Sequence, residues 1–536
     1  MRGGLSFLSR CDKSHAMKIT RVLLIVLPLG AVGACSGGGG SSPPPPTAQW
    51  EKFRHDVNNS GAGNPSLGDN NGVIMWQTQI DMTPISASPA IGLPLPGGDV
   101  NGELYIATEG GTLAALAPTT GEINWTICSC DAPGVPLICP AGRASTLGPL
   151  ISSPAVYTFI STTNIFIGSA NGAVYMFQDN GTTRTCAARF EPAAADFGGS
   201  TITSRFISSP GFTINPSTSA VSSVFIGAAV DVTQNGTTRT IGKLYALNTN
   251  GTPIWQYPPL GAAEEIGAIT SSPVLGAVDT VFFTTEDGYV YGLTASGTFK
   301  WRFFIGATTD PDAPFSPSPL TTGQIFAPST SGRIFSLNPD GSFHWSVPPL
   351  DKPEFESGFL SSLAVGLPAT TITPTVPPTP TPPPGATAAP TETPTPVRLM
   401  TAIFGVTGAG NLVQIDLITG MINMLQNPAE KIAGPVVSSP MLSADGYLVV
   451  GAADGTLHAI NTITGLPPPL QPPPPTPPTP TGWPVTLAAG VPIRSSPSAS
   501  SVDNNGIVNG IVYVGADNGK VYAVGPGTIP TPTVTR

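Results

Sequence analysis

The chain has 536 residues and a formal net charge of −10, and its 62 Gly and 62 Pro make up about 23% of its length. Only 10% of the residues are charged, whereas 40% are hydrophobic. The helix-breaking residues and the shortage of charges exclude a helical bundle, a coiled coil and a basic nucleic-acid binder, and the hydrophobic content excludes a wholly disordered chain. An all-β fold with many turns is the remaining class.

An export signal is expected at the start of the sequence. Lys18 and Arg21 form a charged segment, and residues 22–34 form an apolar run that is too short for a membrane-spanning helix. This is the pattern of a signal peptide. We therefore predict a signal peptide over residues 1–34, in which Met17 is the alternative start.

The sequence Val32-Gly33-Ala34-Cys35 resembles a bacterial lipobox, in which the cysteine becomes lipidated. It predicts an exported protein anchored through Cys35, while simple cleavage near Ala34 is the alternative. Residues 35–49 would then be the lipidated Cys and a Gly/Ser/Pro tether. By resemblance to lipoprotein sorting, Ser36 favours the outer membrane, with the protein facing the periplasm or the surface.

Cleavage after residue 34 would leave 17 basic and 31 acidic residues, a net charge of −14. An acidic surface repels nucleic acids and anionic lipid head groups. We therefore expect no nucleic-acid partner, and contact with the membrane through the lipid anchor only.

A repeated unit fills residues 50–525. It has the form Ser-Ser-Pro, an apolar strand, an Asp/Asn-Gly turn, an alternating strand, a second Gly turn and a Trp. The clearest copy runs from Ser271 to Trp301. The eight copies start at Ser86, Ser152, Ser208, Ser271, Ser316, Ser361, Ser438 and Ser495. Such units bury their faces only by stacking, which predicts an eight-bladed β-propeller of four-stranded antiparallel blades, or seven blades if the Ser361 copy fails.

Within each unit, residue types indicate the strand order. Residues 281–284 are an unbroken apolar run, which predicts a second strand buried on both faces. Asp-Gly and Asn-Gly pairs predict tight hairpins, so Asp287, Asp454 and Asp517 are interpreted as turn residues rather than ligands. Residues 73–76 match a fourth strand without the preceding three, whereas the last unit stops after Val524. The first strand is thus expected to complete the last blade and close the ring.

Six of the seven tryptophans fall on the repeat position. These are Trp76, Trp125, Trp255, Trp301, Trp345 and Trp483. A recurring position in a repeat points to packing between blades rather than to stacking on a ligand. Trp50 lies outside this pattern.

Four cysteines remain beyond the anchor: Cys128, Cys130, Cys139 and Cys186. An even number in an exported protein favours two disulfides, with three pairings open. A zinc site is the alternative, but the spacing between these residues is not typical of zinc ligands.

Two Pro/Thr-rich inserts interrupt the repeats, at residues 366–397 of the sixth unit and 466–482 of the seventh. Both fall at hairpin tips and are expected to be extended polyproline-like loops, and residues 526–536 are expected to be a disordered tail. Tolerated insertions are the simplest interpretation, with glycosylation or groove binding as alternatives.

The units VYVGADNGKVYAV and LYALNTNGTPIW, with the leader WEKFRHD at residues 50–56, resemble the quinoprotein-like (PQQ-like) β-propeller repeat family. The resemblance covers residues 50–525 apart from the inserts. It implies one of two branches: dehydrogenases that bind pyrroloquinoline quinone and calcium, or non-enzymatic bacterial lipoproteins, which include a subunit of outer-membrane protein assembly.

Features of the dehydrogenase branch are missing from this sequence. It contains no Cys-Cys pair to lie over a quinone, and most of its acids fall in turns. Its four histidines, His15, His55, His344 and His458, share no metal spacing. We therefore assign no catalytic, cofactor-binding or metal residues and expect neither quinone nor calcium.

The expected function is that of a non-enzymatic cell-envelope lipoprotein whose propeller binds or scaffolds other molecules. Its partners would be envelope proteins or a surface polymer, in outer-membrane protein assembly or surface interaction. The alternative is a PQQ- and calcium-dependent dehydrogenase.

Overall fold

A computed structural model of the chain describes residues 52–53, 67, 70–95, 102–130, 145–276, 279–306, 316–319, 323–350, 355, 358–366, 402–417, 420–423, 432, 435–462, 482–504 and 507–527. Eight antiparallel sheets follow one another, seven with four strands and one with five. The predicted eight-bladed β-propeller is confirmed, and the seven-blade alternative is wrong because the Ser361 copy also forms a blade.

Each of the first four blades comes from one repeat. The first strand of the fold, β1 (Val73–Gln79), is followed by blade 1, with β2 (Ala90–Gly92), β3 (Glu103–Ala107), β4 (Leu113–Leu116) and β5 (Ile123–Ile127). Blade 2 has β6 (Ala155–Phe159), β7 (Thr162–Gly168), β8 (Val174–Asp179) and β9 (Arg184–Phe190), and a short 3₁₀ helix (Ala194–Phe197) follows it. Blade 3 has β10 (Thr201–Arg205), β11 (Gly211–Ile214), β12 (Val221–Gln234), β13 (Thr237–Leu247) and β14 (Pro253–Tyr257). Blade 4 has β15 (Val274–Gly276), β16 (Thr280–Thr284), β17 (Tyr289–Thr294) and β18 (Phe299–Phe304).

The remaining blades follow the same order. Blade 5 has β19 (Ser318–Pro319), β20 (Ile325–Pro328), β21 (Ile334–Leu337) and β22 (Phe343–Val347). Blade 6 has β23 (Ala364–Gly366), β24 (Ala402–Val406), β25 (Leu412–Asp416) and β26 (Ile422–Asn423). Blade 7 has β27 (Met441–Leu442), β28 (Tyr447–Gly451), β29 (Thr456–Asn461) and β30 (Val485–Thr486). Blade 8 has β31 (Ser498–Asn504), β32 (Ile507–Gly515) and β33 (Lys520–Gly525).

Blade 4 shows how the sequence specifies a blade. Every residue of β16 is buried, as the unbroken apolar run predicts. Gly288 has a φ of +88°, a conformation that its lack of a Cβ allows, and it closes the hairpin to β17. The side chain of Asp287 accepts a hydrogen bond from the Thr285 hydroxyl within the same turn, which agrees with its assignment as a turn residue.

The ring is closed by the two ends of the fold. Strand β1 pairs antiparallel with β33, from Val73 opposite Gly525 to Gln79 opposite Lys520. It thereby supplies the fourth strand of blade 8. The predicted closure is confirmed, and it covers the edges that both strands would otherwise expose.

A circle of eight serines lines the inner side of the ring. In each blade one serine of the motif donates its backbone N–H to the hydroxyl of the corresponding serine in the next blade. The bonds run from Ser88 to Ser153 (2.8 Å), Ser153 to Ser209 (3.0 Å), Ser209 to Ser272 (3.1 Å), Ser272 to Ser316 (3.0 Å), Ser316 to Ser362 (2.9 Å), Ser362 to Ser439 (3.1 Å), Ser439 to Ser496 (2.9 Å) and Ser496 to Ser88 (3.0 Å). This serine circle links every blade to the next and explains why the motif recurs eight times.

The first serine of the motif works within its own blade. The Ser271 hydroxyl accepts the backbone N–H of Thr284 at the end of β16 (2.9 Å). Ser208 accepts the N–H of Gly227 (3.2 Å) in the same way, and Ser495 that of Gly515 (3.2 Å). The proline that completes the motif lacks an N–H, so it leaves no buried donor unpaired.

Five of the repeat tryptophans link adjacent blades through their indole N–H. Trp76 donates to Pro118 O (3.0 Å), Trp125 to Asp179 Oδ2 (3.0 Å), Trp255 to Ala295 O (2.9 Å), Trp301 to Pro339 O (3.1 Å) and Trp483 to Asn70 O (2.9 Å). Most of the acceptors lie in the last hairpin turn of the next blade. The Gly in that turn leaves room for the ring: a Cβ on Gly297 would lie 2.6 Å from Trp255.

Two blades depart from the expected pattern. Blade 3 has five strands, because the long strand β12 pairs on one side with both β10 and β11 and on the other with β13. In blade 7, Trp483 precedes the fourth strand instead of lying in it. Pro484 follows it and cannot donate to a ladder, so pairing begins at Val485.

Several predicted features lie outside the described residues. These are the signal peptide (1–34), Cys35 and the tether (35–49), Trp50, His15 and His55, nearly all of the two inserts (366–397 and 466–482), and the tail over 528–536. The described strands β23 and β24 flank the first insert, and β29 and β30 flank the second. In the part of the chain that is described, no helix is both long and apolar enough to cross a bilayer.

Candidate functional site

The central channel is one candidate site. The serine circle encloses a cavity of about 270 Å³, whose wall also contains Ile151, Ile207, Leu360 and Val437. Phe53 of the leader lines this cavity and is buried together with its neighbour Lys52. Phe53 of the leader therefore packs at the channel.

The charged groups at the channel form a clamp where the ring closes. Arg494 of blade 8 donates to Asp517 Oδ1 through Nε (2.9 Å) and to Glu109 Oε1 of blade 1 through Nη2 (3.0 Å). Asp517 lies in a hairpin turn, as the sequence analysis proposed, and it also forms this ion pair. The clamp joins the last blade to the first.

The described lining does not fit a calcium-bound quinone. Calcium takes six to eight oxygen ligands, mostly carboxylates and carbonyls, and the three carboxylates of pyrroloquinoline quinone need cationic partners. Among the described lining residues, Glu109 and Arg494 are the only charged ones, and they pair with each other. Elsewhere in the described ranges, no three His, Cys, Asp or Glu side chains come together as a metal site.

The outer edge of blade 4 is the second candidate site. Strand β18 has the sequence FKWRFF and is the last strand of its sheet, so no described strand pairs with its outer side. Phe299 is 46% exposed and Phe304 is 54% exposed. We call this cluster the aromatic rim: the exposed Phe299 and Phe304, the half-buried Tyr289, and the buried Tyr257 and Tyr291 that pack against Phe299.

The aromatic side chains of the rim contact one another. Phe299 stacks on Tyr257 with ring centroids 6.2 Å apart and meets Tyr291 edge-on at 6.4 Å. Phe304 lies 5.1 Å from Tyr289. Mutual contact holds these exposed rings in place, so the rim is an ordered surface and not a set of separate side chains.

One arginine crosses the rim. The Arg302 guanidinium lies 5.0 Å from the Tyr289 ring and donates to Glu264 Oε1 at 2.7 Å. Burial, followed by the nearby Glu264, raises the pKa of Tyr257 to about 12, and burial also raises the pKa of Tyr291. Both phenols therefore stay neutral at physiological pH. The rim thus offers flat apolar rings and one paired cation.

The predicted cysteine cluster lies at the boundary of blades 1 and 2. Cys130 and Cys186 form a disulfide, with their Cα atoms 5.5 Å apart. Cys128 is also disulfide-bonded, whereas Cys139 lies outside the described residues. The structure thus contains the Cys130–Cys186 bond, while the partner of Cys139 stays a prediction.

A buried acid pair lies at the same boundary. Asp179 accepts the Trp125 indole N–H and lies 3.1 Å from Arg184 Nε, while Glu103 is 3% exposed. Burial, with the neighbouring Asp179, raises the pKa of Glu103 from 4.5 to about 7. No local pattern indicates this pair, because its members, Glu103 and Asp179, are 76 residues apart and meet only when the blades stack.

The two described histidines lie in different blades, His344 in blade 5 and His458 in blade 7. The aromatic rim was not predicted, since the repeat position of Trp301 indicated packing alone. The signal was present in the phenylalanines that flank Trp301, whose exposure follows from the strand's position at the sheet edge.

A family model described as outer membrane protein assembly factor BamB matches residues 213–358. The matched repeats are of the PQQ-like β-propeller type. The matched segment runs from β11 through blade 5, so it contains the whole aromatic rim of the propeller. A search of the curated proteins gives no match.

Solved structures share the fold at low identity. BamB from Moraxella catarrhalis is 15% identical, with a TM-score of 0.46 over 84% of this chain and 99% of its own. Sqt1 from Saccharomyces cerevisiae is 9% identical (TM-score 0.51; 86% and 100% covered), and a europium-containing methanol dehydrogenase is 11% identical (TM-score 0.51; 88% and 91% covered). At these identities the likeness to Sqt1 and to the dehydrogenase, whose TM-scores exceed 0.5, shows the propeller fold and nothing about activity.

Proposed function

We propose that this protein is a non-enzymatic scaffold of the bacterial cell envelope and binds envelope proteins through the aromatic rim of blade 4. One observation carries the proposal: the rim lies inside the segment, 213–358, that matches a family described as an assembly factor of the outer membrane. A protein-binding propeller fits that family, and the rim is a surface suited to binding.

The chemistry of the rim fits a protein partner. Aromatic residues and arginine are enriched at the centres of protein interfaces, where they supply most of the binding energy. The open side of β18 can also add a strand from a partner. Because Arg302 is already paired with Glu264, a partner that covers the rim would not bury an unpaired charge.

A direct test places a photo-crosslinking amino acid at Phe304 in the full chain, in intact envelopes. The matched control carries it at Ile123, which is 37% exposed near the start of the outer strand of blade 1. We expect a discrete protein adduct from position 304 and none above background from position 123. Equal yields at both positions, or an adduct only with polymer, would refute a protein-binding rim.

The envelope location rests on the lipobox sequence and on the tether that follows it. Cells supplied with a labelled fatty acid should incorporate the label into the wild-type protein and not into Cys35→Ala. If both proteins fractionate as soluble and unlabelled, the anchor is refuted while the rim proposal stands.

The channel lining supports a non-enzymatic role, since its charged residues are paired with each other and do not fit the quinone. Purified protein incubated with pyrroloquinoline quinone and calcium should show no bound chromophore and no dye reduction with alcohols. A stoichiometric chromophore with dye reduction would instead establish the dehydrogenase alternative.

A further inference from the structure

A small cavity lies in blade 3, the blade that departs from the repeat by having five strands. The 3₁₀ helix (Ala194–Phe197), the hairpin end of β12 and β13 and the segment 258–265 after β14 form its wall. Its volume is about 240 Å³, whereas sites for drug-sized molecules measure roughly 300–1,000 Å³. The cavity therefore suits a small molecule, and it is built largely by elements in which this blade differs from the others.

Two charged side chains of this cavity have no ion-pair partner among the described residues. They are Asp196 and Lys243, which both line the cavity but do not bond to each other. The other charged side chains of the lining are already in ion pairs, which are Arg239–Glu265 (2.7 Å) and Glu264–Arg302 (2.7 Å). The cavity thus contains one cation and one anion that remain available to a ligand.

The Lys243 ammonium group contacts residues of the cavity wall. Its Nζ donates to Pro258 O (2.8 Å) and lies 5.8 Å from the centre of the Phe197 ring. An ammonium has three N–H donors, so a single carbonyl leaves donors for a ligand. Lys243 is 8% exposed, and burial lowers its pKa, while the nearby Asp196 and Glu265 act in the opposite direction. A ligand carboxylate against Nζ would replace the hydration that the ammonium has lost.

The two opposite charges determine which ligand the cavity can hold. A simple anion beside Lys243 would also meet the carboxylate of Asp196, and a simple cation beside Asp196 would meet the ammonium. A zwitterion pairs with both, and an α-amino acid carries its carboxylate and its ammonium on one carbon. Its side chain would meet the apolar part of the wall, which is formed by Phe197, Val232, Ile241, Pro258, Pro259 and Ala262.

We propose that this cavity binds a small α-amino acid with an apolar side chain. The carboxylate of the ligand accepts a hydrogen bond from Lys243 Nζ, and its ammonium donates to the Asp196 carboxylate. The site does not depend on the binding of a protein at the aromatic rim, so either proposal can fail while the other stands.

The test is isothermal titration calorimetry of the purified full chain with three related probes. L-valine carries both charges, isovalerate is the same molecule without the ammonium, and isobutylamine is the same molecule without the carboxylate. The test variants are Lys243→Met and Asp196→Asn, each of which removes one charge at similar size. Lys520→Met is the matched control, because Lys520 has the equivalent place on blade 8 and donates to Gln77 Oε1.

We expect the wild type and Lys520→Met to bind L-valine equally. Both test variants should bind it at least tenfold more weakly, since each loses a charge-assisted hydrogen bond. Isovalerate and isobutylamine should bind the wild type at least tenfold more weakly than L-valine does.

The absence of any heat of binding from L-valine would overturn the proposal. Equal affinity of the wild type for L-valine and isovalerate would also overturn it, because the cavity would then be a plain anion site. Thermal unfolding checks that each variant is folded. If Lys243→Met does not fold, Asp196→Asn decides the outcome alone, since its side chain accepts no hydrogen bond from a described residue.

Discussion

At the channel, a serine of every blade donates its backbone N–H to a serine hydroxyl of the next blade. At the aromatic rim, by contrast, β18 is the last strand of blade 4 and carries two half-exposed phenylalanines. The serine N–H and hydroxyl groups at the channel form their hydrogen bonds within the fold, and this arrangement is repeated in all eight blades. The exposed rings at the outer edge differ from blade to blade, with Phe299 and Phe304 on blade 4 and Phe343 on blade 5, and they remain accessible. A feature that every repeat shares closes the ring, and features that differ between repeats are available for function.

The largest effect on partner binding is expected when the exposed phenylalanines of the aromatic rim are removed. We expect Phe299→Ala/Phe304→Ala to reduce capture of the envelope partner at least about thirty-fold, since interface aromatics contribute about 2 kcal/mol or more each. Thermal unfolding should change little because both side chains are half exposed. Quantitative pull-down with the purified variant measures the loss, and Ile123→Ala is the matched control on blade 1. A double variant that binds like wild type would contradict the assignment of the rim.

The stability of the ring can be tested apart from binding, at a turn that contacts a tryptophan of the preceding blade. Gly297→Ala places a Cβ 2.6 Å from Trp255 at a φ of +87°, so we expect a loss of about 3 kcal/mol in the free energy of unfolding. Gly236→Ala has a similar φ of +78° with open space around its Cβ, and it should cost about 1 kcal/mol. Denaturant unfolding checks both values. Equal losses would mean that the tryptophan contact adds nothing.

The buried Glu103 makes the boundary of blades 1 and 2 sensitive to pH. Between its ordinary pKa of 4.5 and its folded pKa of about 7, the folded state keeps a proton that the unfolded state has lost. Stability therefore falls as the pH rises through this window, by about 2–3 kcal/mol.

We accordingly expect Glu103→Gln to be more stable than wild type by about 2 kcal/mol at pH 8 and similar to it at pH 4.5. Urea unfolding at the two pH values measures the difference. Glu122→Gln, on an exposed turn of the same blade, should follow the wild-type profile. If the free energy of unfolding of Glu103→Gln falls with rising pH as steeply as that of the wild type, a group other than Glu103 causes the fall.

The smallest expected effect concerns one member of the serine circle. Ser272→Ala leaves the buried N–H of Ser209 without its acceptor and should lower the free energy of unfolding by about 1–2 kcal/mol. Partner capture should be unchanged, which is the reverse of the rim variant. The control is Ser296→Ala in an exposed turn of the same blade, and denaturant unfolding compares the two. Weaker partner capture by folded Ser272→Ala would argue that the channel takes part in binding.

Much of the fold could be predicted because it is repeated. Strand order, hairpin turns and closure by β1 follow from patterns of a few residues, such as the buried run 281–284 and Asp287-Gly288. The strand and turn patterns recur from unit to unit in one sequence, whereas closure rests on the single match of β1. The serine motif was visible too, but its bonds were not, because the sequence does not indicate which blade each hydroxyl contacts.

The candidate sites were less predictable, since they depend on which residues the stacked blades bring together. Glu103 and Asp179 belong to different repeats, and nothing local marks either of them as buried beside the other. Trp301 and Trp345 have the same place in the repeat, but only Trp301 has an acceptor among the described residues. Phe299 and Phe304 look like ordinary strand residues until the sheet order shows that β18 is an edge.

Side-chain footprinting tests the central claim most directly, because it needs no substitution. Hydroxyl radicals oxidise exposed side chains, and mass spectrometry compares the purified protein with the protein in intact envelopes. We predict that Phe299 and Phe304 are oxidised several-fold less in intact envelopes than in the purified protein. Met82, which is 84% exposed and follows β1 of blade 8, should be oxidised equally in both samples. Equal oxidation of the two phenylalanines in both samples would contradict a rim that binds a partner.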